Sequence, residues 1–248
     1  MSNNWTSTKK FDEKKRATRL IVNYIPNLCN NGTIVLMPST TCYDIEELYS
    51  QKKINKSTNF YAVDNLECAE LKKNEYKNTT NIKERIFRNL FRERLKSITG
   101  SNDFYFKNKN NLILGNNIQD VPMLSYTYEK TPDGCDAIYA DTCGIYSQQM
   151  INWIVEKPTL QSLKDDGIFA ITMLLTRKNI EGNFSLPQSN PDLFLLGKSK
   201  DINSKKMFAI ANDVENLTFN TLQSKALIYY EDNIHSPMGV FIFEKHKN

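Results

Sequence analysis

Histidine is nearly missing: the 248 residues hold two, His235 and His246. There is no Cys-x-x-Cys pair, so the common ways of holding zinc are absent and a metal centre is not expected. The five cysteines, Cys29, Cys42, Cys68, Cys135 and Cys143, stand singly. An odd number without framework spacing points to reduced thiols in a cytosol and not to a disulfide scaffold. No apolar run nears the roughly 18–20 residues that cross a bilayer. The charged start, Met1 to Lys15, is not followed by the apolar stretch of a secretory signal. A cytoplasmic protein without a membrane partner is the expectation. Internal repeats are absent, and so are the glycines of a dinucleotide-binding fingerprint.

Charge is present but uneven. The net charge is +4. Residues 1–19 and residues 82–98 each carry six basic and two acidic side chains, and the remainder is slightly acidic. Two basic segments, 9–19 and 82–98, fit a polyanionic partner such as nucleic acid; solvated helix faces have the same composition.

After a flexible tail over 1–11, Ala17, Leu20, Ile21, Tyr24 and Ile25 follow the i, i+3, i+4 rhythm of a helix starting near Asp12. Pro26 breaks it. Thr33–Met37 is an apolar strand of the kind buried on both faces. Pro38-Ser39-Thr40-Thr41 follows, and Thr41-x-x-Asp44 matches a capping box at the start of a second helix. Asn59–Val63 is strand two, closed by Asp64-Asn65. An acidic residue there can accept both hydroxyls of a ribose, although Asp and Asn also favour plain turns.

Residues 82–98 give the clearest helix, with an apolar stripe of Ile82, Ile86, Leu90, Phe91, Leu95 and Ile98. Arg85, Arg88 and Arg92 on its other faces are the candidate phosphate contacts. Phe104–Phe106 reads as a short extra strand. Asn111–Leu114 is strand three, ending in Gly115-Asn116-Asn117, where a side-chain amide could pair with an adenine edge. Asp136–Ala140 is strand four, ending at Asp141-Thr-Cys-Gly144. A helix is expected over 145–156. Lys164-Asp-Asp-Gly167 then turns into strand five, Ile168–Leu174. Residues 176–204 read as a long polar excursion, and Met207 to Leu217 as a helix. The strands Ala226–Tyr230 and Gly239–Phe243 lie close enough to form an antiparallel hairpin.

Strand–helix alternation closed by a hairpin predicts an α/β fold with a doubly wound, mostly parallel sheet and one antiparallel edge strand. The simplest division is one domain over residues 1–248, with insertions at 66–110 and 176–204. In this order of elements the chain resembles the class I S-adenosylmethionine-dependent methyltransferases, which have a Rossmann-like sheet ending in such a hairpin. The resemblance covers residues 15–248 and is closest locally at Lys164-Asp-Asp-Gly-Ile-Phe169.

The resemblance implies S-adenosylmethionine as cofactor. Pro38, Ser39 and Thr40 stand at the cofactor loop, Asp64 and Asn65 at the ribose, and Asn116 and Asn117 beside adenine. Asp141 stands at the position facing the acceptor, where it would orient the acceptor or take its proton. Three departures stand out. The first loop has no glycine between Met37 and Asp44, and Pro38 has no N–H to donate. Asp141-Thr-Cys-Gly144 is neither the Asp/Asn-Pro-Pro-aromatic motif of amine methylation nor a Pro-Cys nucleophile. Cys143, lone and without a nearby histidine, reads as a packing residue. Two functions follow: a methyltransferase, with nucleic acid slightly favoured as acceptor, or a cofactor-free domain of the same fold that binds nucleic acid or serves assembly.

Overall fold

Four apolar strands with side chains buried on both faces need neighbours on both edges and layers above and below, which is what the parallel half of the sheet supplies. The structure is a computed structural model that describes residues 8–38, 41–64, 66, 80–114, 134–145, 161–175, 187–197, 201–231 and 236–247. Its elements are α1 (Thr8–Tyr24), β1 (Thr33–Leu36), α2 (Tyr43–Ser50), β2 (Asn59–Asp64), α3 (Thr80–Thr99), α4 (Asp103–Asn108), β3 (Leu112–Leu114), β4 (Cys135–Ile145), β5 (Leu163–Leu174), β6 (Asp192–Leu195), α5 (Asp201–Leu217), β7 (Leu222–Glu231) and β8 (Pro237–Lys245). A 3-10 turn, Lys109–Asn111, joins α4 to β3.

The eight strands form one sheet in the order β3-β2-β1-β4-β5-β8-β7-β6. β1 to β5 pair in parallel, with Ile34 opposite Phe60 on one side and Ala137 on the other. β8 runs antiparallel to both β5 and β7. The doubly wound sheet and its hairpin are therefore as expected, and the strand order is that of the class I methyltransferase fold with one added strand, β6. The antiparallel strand is not at the edge, however. Met238 to Phe243 of β8 are all buried, and a strand covered on both faces gains most by pairing on both edges. The edge belongs to β6, half-exposed and parallel to β7.

Two apolar layers flank the sheet. On one face Ala17, Ile21, Ile45, Leu48, Phe87, Phe91, Leu95 and Phe104 from α1–α4 pack together. On the other, Met207, Ile210, Ala211 and Val214 of α5 pack against Phe169, Phe241 and Phe243. The stripe of α3 is centred on Phe87, Phe91 and Leu95, each fully buried, while Leu90 is 39% exposed. The i, i+4, i+8 line through Phe87 outcompetes the expected one because its rings meet Phe60: Phe91 lies 5.9 Å and Phe104 4.9 Å from that ring, and Phe87 stacks on Phe91. Truncating a ring in such a cluster costs about 3–5 kcal/mol.

Other expectations change. α1 begins at Thr8, ahead of the start expected near Asp12. Phe104–Phe106 is helical, because Phe104 and Tyr105 face the core while Phe106 points outward, a spacing no strand provides. Lys164–Gly167 lies inside β5 as an irregularity of the ladder, with Asp166 at φ 61°. Gly167 is needed there, since a Cβ would sit 2.7 Å from the Lys164 carbonyl oxygen. The helix expected over 145–156 falls mostly outside the described residues, though Ile145 itself belongs to β4. No helix among the described residues is long and apolar enough to cross a membrane.

Candidate functional site

The sheet reverses its direction of winding between β1 and β4, and the crevice outside their carboxyl ends is where α/β sheets of this kind hold ligands. Three segments border it: Leu36 to Pro38 after β1, Asp64 at the end of β2, and Asp141 in the irregular stretch of β4.

Pro38 is buried. Ser39 and Thr40 lie outside the described residues, as do Asn65, Asn116 and Asn117, so the loop and adenine assignments stay expectations. Beyond the loop, the expected capping box is not formed. Helix α2 starts one residue later than expected, with Cys42 at its N-cap in the left-handed region (φ 49°) and no side-chain cap bond. Burial pushes the Cys42 thiol well up, which leaves it an inert packing residue. Asp44 is turned into the protein, 9% exposed, and does not cap the helix. Burial and the neighbouring Asp141 raise its carboxyl to about 7, with Lys14 pulling the other way.

Asp64 closes β2 as a half-buried carboxylate. Its Oδ1 accepts the backbone N–H of Leu66 at 2.7 Å, which holds Leu66 at φ 60° in a tight turn. The turn role is thus real. It uses only one oxygen: among the described residues no donor reaches Oδ2, and no cation pairs with the group. Burial raises the carboxyl to about 6 against the lowering effect of the Leu66 N–H. A desolvated carboxylate with a bare oxygen is costly by itself and is well suited to accept hydroxyl protons.

Asp141 sits differently. β4 does not stop at Ala140 but runs to Ile145, with its ladder to β5 irregular between Ala140 and Gly144. Such bulges re-aim side chains beside active sites. Lys14 of α1 reaches across to Asp141 Oδ2 at 2.8 Å, with side chains 25% and 14% exposed respectively. Tyr139, two positions earlier in the same strand, is buried beside both carboxylates. Its phenol is held well above the ordinary range, first by burial and then by the charges of Asp44, Asp141 and Tyr230, while the neighbouring Thr172 of β5 acts against them. Lys14, Asp44, Tyr139, Asp141, Thr172 and Tyr230 therefore form a polar group at the carboxyl end of β4, of which sequence reading found one member. Tyr139-x-Asp141 has the i, i+2 spacing of one strand face and could have signalled the pair. Nothing in sequence joins Lys14 to Asp141. The side chain of Cys143 lies outside the described residues.

The basic segments are less free than composition suggests. Lys14 faces inward, Lys15 lies over the Tyr43 ring at 5.2 Å, and Arg19 pairs with Glu47. On α3, Arg85 is exposed, Arg88 donates to the Lys109 carbonyl at 3.0 Å and Arg92 pairs with Glu93. Arg94 ties α3 to α2 through the Thr41 carbonyl and Glu46. At the corner of α3 and α4, Lys109 lies over the ring of Phe106, which is 53% exposed.

No protein-family model matches the sequence, and no curated protein matches it. Among solved structures, the chain aligns with an O-methyltransferase from Bacillus cereus in complex with SAH at 9% identity, covering 98% of this chain and 84% of that one, with a TM-score of 0.49. It aligns with an rRNA methylase from Streptococcus thermophilus at 12% identity, covering 92% and 95%, with a TM-score of 0.42. With the N-methyltransferase NodS from Bradyrhizobium japonicum WM9 the identity is 9%, the coverage 99% and 94%, and the TM-score 0.44. These alignments are too loose to carry the assignment. The strand order, with its reversed β8 between β5 and β7, is what gives this chain the class I methyltransferase fold.

Proposed function

We propose that the chain is an S-adenosylmethionine-dependent methyltransferase that acts on a nucleic acid. The observation that carries the reading is Asp64: a desolvated carboxylate at the end of β2, with one oxygen fixed by Leu66 and the other without a donor among the described residues. A ribose diol supplies the missing donors. The residues present fit the cofactor at this point; the glycine-free stretch around Pro38 fits it less closely than a glycine loop does, because proline gives no N–H and narrows the backbone approach.

When bound, the cofactor supplies a methyl group already activated by its sulfonium. Asp64 Oδ2 would accept from the ribose hydroxyls while Oδ1 stays on the Leu66 N–H. Asp141, locked by Lys14, orients an acceptor and holds it in line. Asp44, whose carboxyl burial and Asp141 raise to about 7, would be the group nearest at hand to take up a released proton. Arg85 and Arg88, with Lys109 and the exposed Phe106, offer charge and a stacking face to a polynucleotide.

Calorimetric titration with S-adenosylmethionine and S-adenosylhomocysteine tests the reading. Asp64→Ala is expected to weaken binding about 10-fold or more, since hydrogen bonds to a charged group contribute about 1.5–3 kcal/mol. No heat and no thermal shift at about millimolar ligand, enough to reveal an interaction of only about 4 kcal/mol, removes it. The second reading, a cofactor-free nucleic-acid-binding domain, is favoured by Pro38 and by the Lys14–Asp141 pair; binding of an oligonucleotide without binding of either cofactor form selects it.

A further inference from the structure

A second polar hollow, of about 260 Å³, opens among Gln188, Ser189, Glu215, Asn220 and Gln223. β7 runs in the same direction as β1–β5, because β8 is antiparallel to both β5 and β7. Its first residues, Leu222–Ser224, therefore lie at the edge of the sheet opposite Asp64 and Asp141. The hollow is separate from the strand-end crevice.

Glu215 is its centre. The residue is 1% exposed. Its Oε1 accepts the Ser189 hydroxyl and, at 2.9 Å, the backbone N–H of Ser224. Among the described residues no donor reaches Oε2, and no lysine, arginine or histidine pairs with the carboxylate. The last turn of α5 surrounds it with the negative end of the helix dipole, which makes a buried anion there costlier still. The remaining lining is made of amides: among the described residues, the side chains of Gln188, Asn220 and Gln223 make no hydrogen bond. Asn220 is held at φ 59° by its N–H on the Glu215 carbonyl at 2.7 Å. Phe219 before it is at φ 51° and 86% exposed, a bulky side chain in a conformation it disfavours. A carboxylate oxygen and three side-chain amides, each able to turn its oxygen inward, thus line one hollow that holds no cation among the described residues.

We propose that this hollow binds a guanidinium group. A guanidinium is planar, permanently charged and weakly hydrated, so it loses less on entering such a site than an ammonium does. Its several N–H donors match the set of acceptors: Oε2 of Glu215 takes one, and the amide oxygens of Gln188, Asn220 and Gln223 take others. The group comes either on a free small molecule or as the arginine side chain of a partner protein. The inference is independent of methyl transfer.

The test is calorimetric titration of the full chain with ethylguanidinium, with N-acetylarginine amide and with N-acetylcitrulline amide, which keeps the shape and loses the charge. Both guanidinium compounds bind, and the citrulline compound binds about 10-fold or more weakly, as expected for a charge-assisted contact. Glu215→Gln keeps the acceptor for Ser189 and Ser224 and is expected to lose about 10-fold in affinity while its melting temperature holds or rises. Arginine-containing peptides that bind much more tightly than ethylguanidinium assign the group to a protein partner; equal affinities assign it to a small molecule. Failure of ethylguanidinium to bind, equal binding of the citrulline compound, or unchanged affinity in Glu215→Gln overturns the proposal. If Glu215→Gln does not fold, Gln223→Leu serves in its place: weaker binding supports the proposal and unchanged binding overturns it.

Discussion

The end of β2 and the irregular stretch of β4 present the same side chain, an aspartate, in opposite circumstances. Asp141 is paired by its own protein: Lys14 holds its Oδ2 at 2.8 Å, and Tyr139, Asp44 and Thr172 share the same corner. Asp64 is half satisfied, with one oxygen on Leu66 and the other without a donor among the described residues. A carboxylate that the fold has already neutralised serves geometry, whereas one left desolvated and incomplete serves a ligand. The contrast also explains why residue type at a strand end is a poor guide to role: burial and partners, drawn from elements far away in sequence, decide it.

The largest expected effect at a fixed pH comes from breaking the paired side. Lys14→Met leaves Asp141 and Asp44 facing each other without a cation. It should cost about 2–3 kcal/mol in urea denaturation, less than the 3–5 of a fully buried pair because Lys14 is a quarter exposed. A shift below about 0.5 kcal/mol, the scatter of ordinary surface changes, would show the pair to be solvated in solution.

The next effect is on pH. Asp64 and Asp44 both have carboxyl groups raised by burial, to about 6 and about 7. A raised folded-state value means that the folded protein binds protons more tightly than the unfolded chain, so the stabilisation is full below the ordinary carboxyl value of 3.8 and is lost as pH rises through about 6 for Asp64 and about 7 for Asp44. The loss is about 3 kcal/mol for Asp64 and about 4 kcal/mol for Asp44. Asp64→Asn should flatten the slope between pH 4 and 6, and Asp44→Asn the slope up to pH 7, in thermal melts across buffers. A slope unchanged in both variants would place the two carboxyls in water.

Smaller still, Asp64→Asn at pH 7 without ligand should be neutral or stabilising by up to about 1 kcal/mol, since it removes a desolvated charge and keeps the acceptor for Leu66. Marked destabilisation would mean that Asp64 is structural and would erase the contrast with Asp141. The smallest effect on the fold is expected from the triple change of Arg85, Arg88 and Arg92 to Gln, within about 0.5 kcal/mol for each exposed site. On heparin or DNA the same protein should lose about 2–3 units of salt slope. An unaltered slope would take nucleic acid away from α3.

The order of elements was legible because burial leaves a strong periodic trace: β1, β2, β5 and the hairpin are short apolar runs between turn residues. Asp64 and Asp141 were legible by position in that order. The polar group around Asp141 was not, because Lys14 is 127 residues away in sequence and no spacing rule connects a helix face to a distant strand end. Asp44 was misread because an acidic residue three positions after a threonine satisfies the local pattern of a cap, and only burial against β4 shows otherwise. Phe87 escaped the expected stripe for a similar reason: several apolar lines run along α3, and contact with Phe60 selects one. The hollow at Glu215 gave no signal, since its lining comes from three separate segments rich in ordinary polar residues.

The position of β8 bears on how the protein is made. Until Pro237–Lys245 is in place, the apolar edges of β5 and β7 have no common neighbour, and the sheet is two fragments with open, sticky borders. A ribosome synthesising the chain in order delivers that joining strand after every other strand, so the half-built sheet has to be shielded while it waits. Chains halted before residue 237 are accordingly expected in aggregates or on chaperones, and a peptide matching β8 supplied in trans should compete for the gap and recover soluble material.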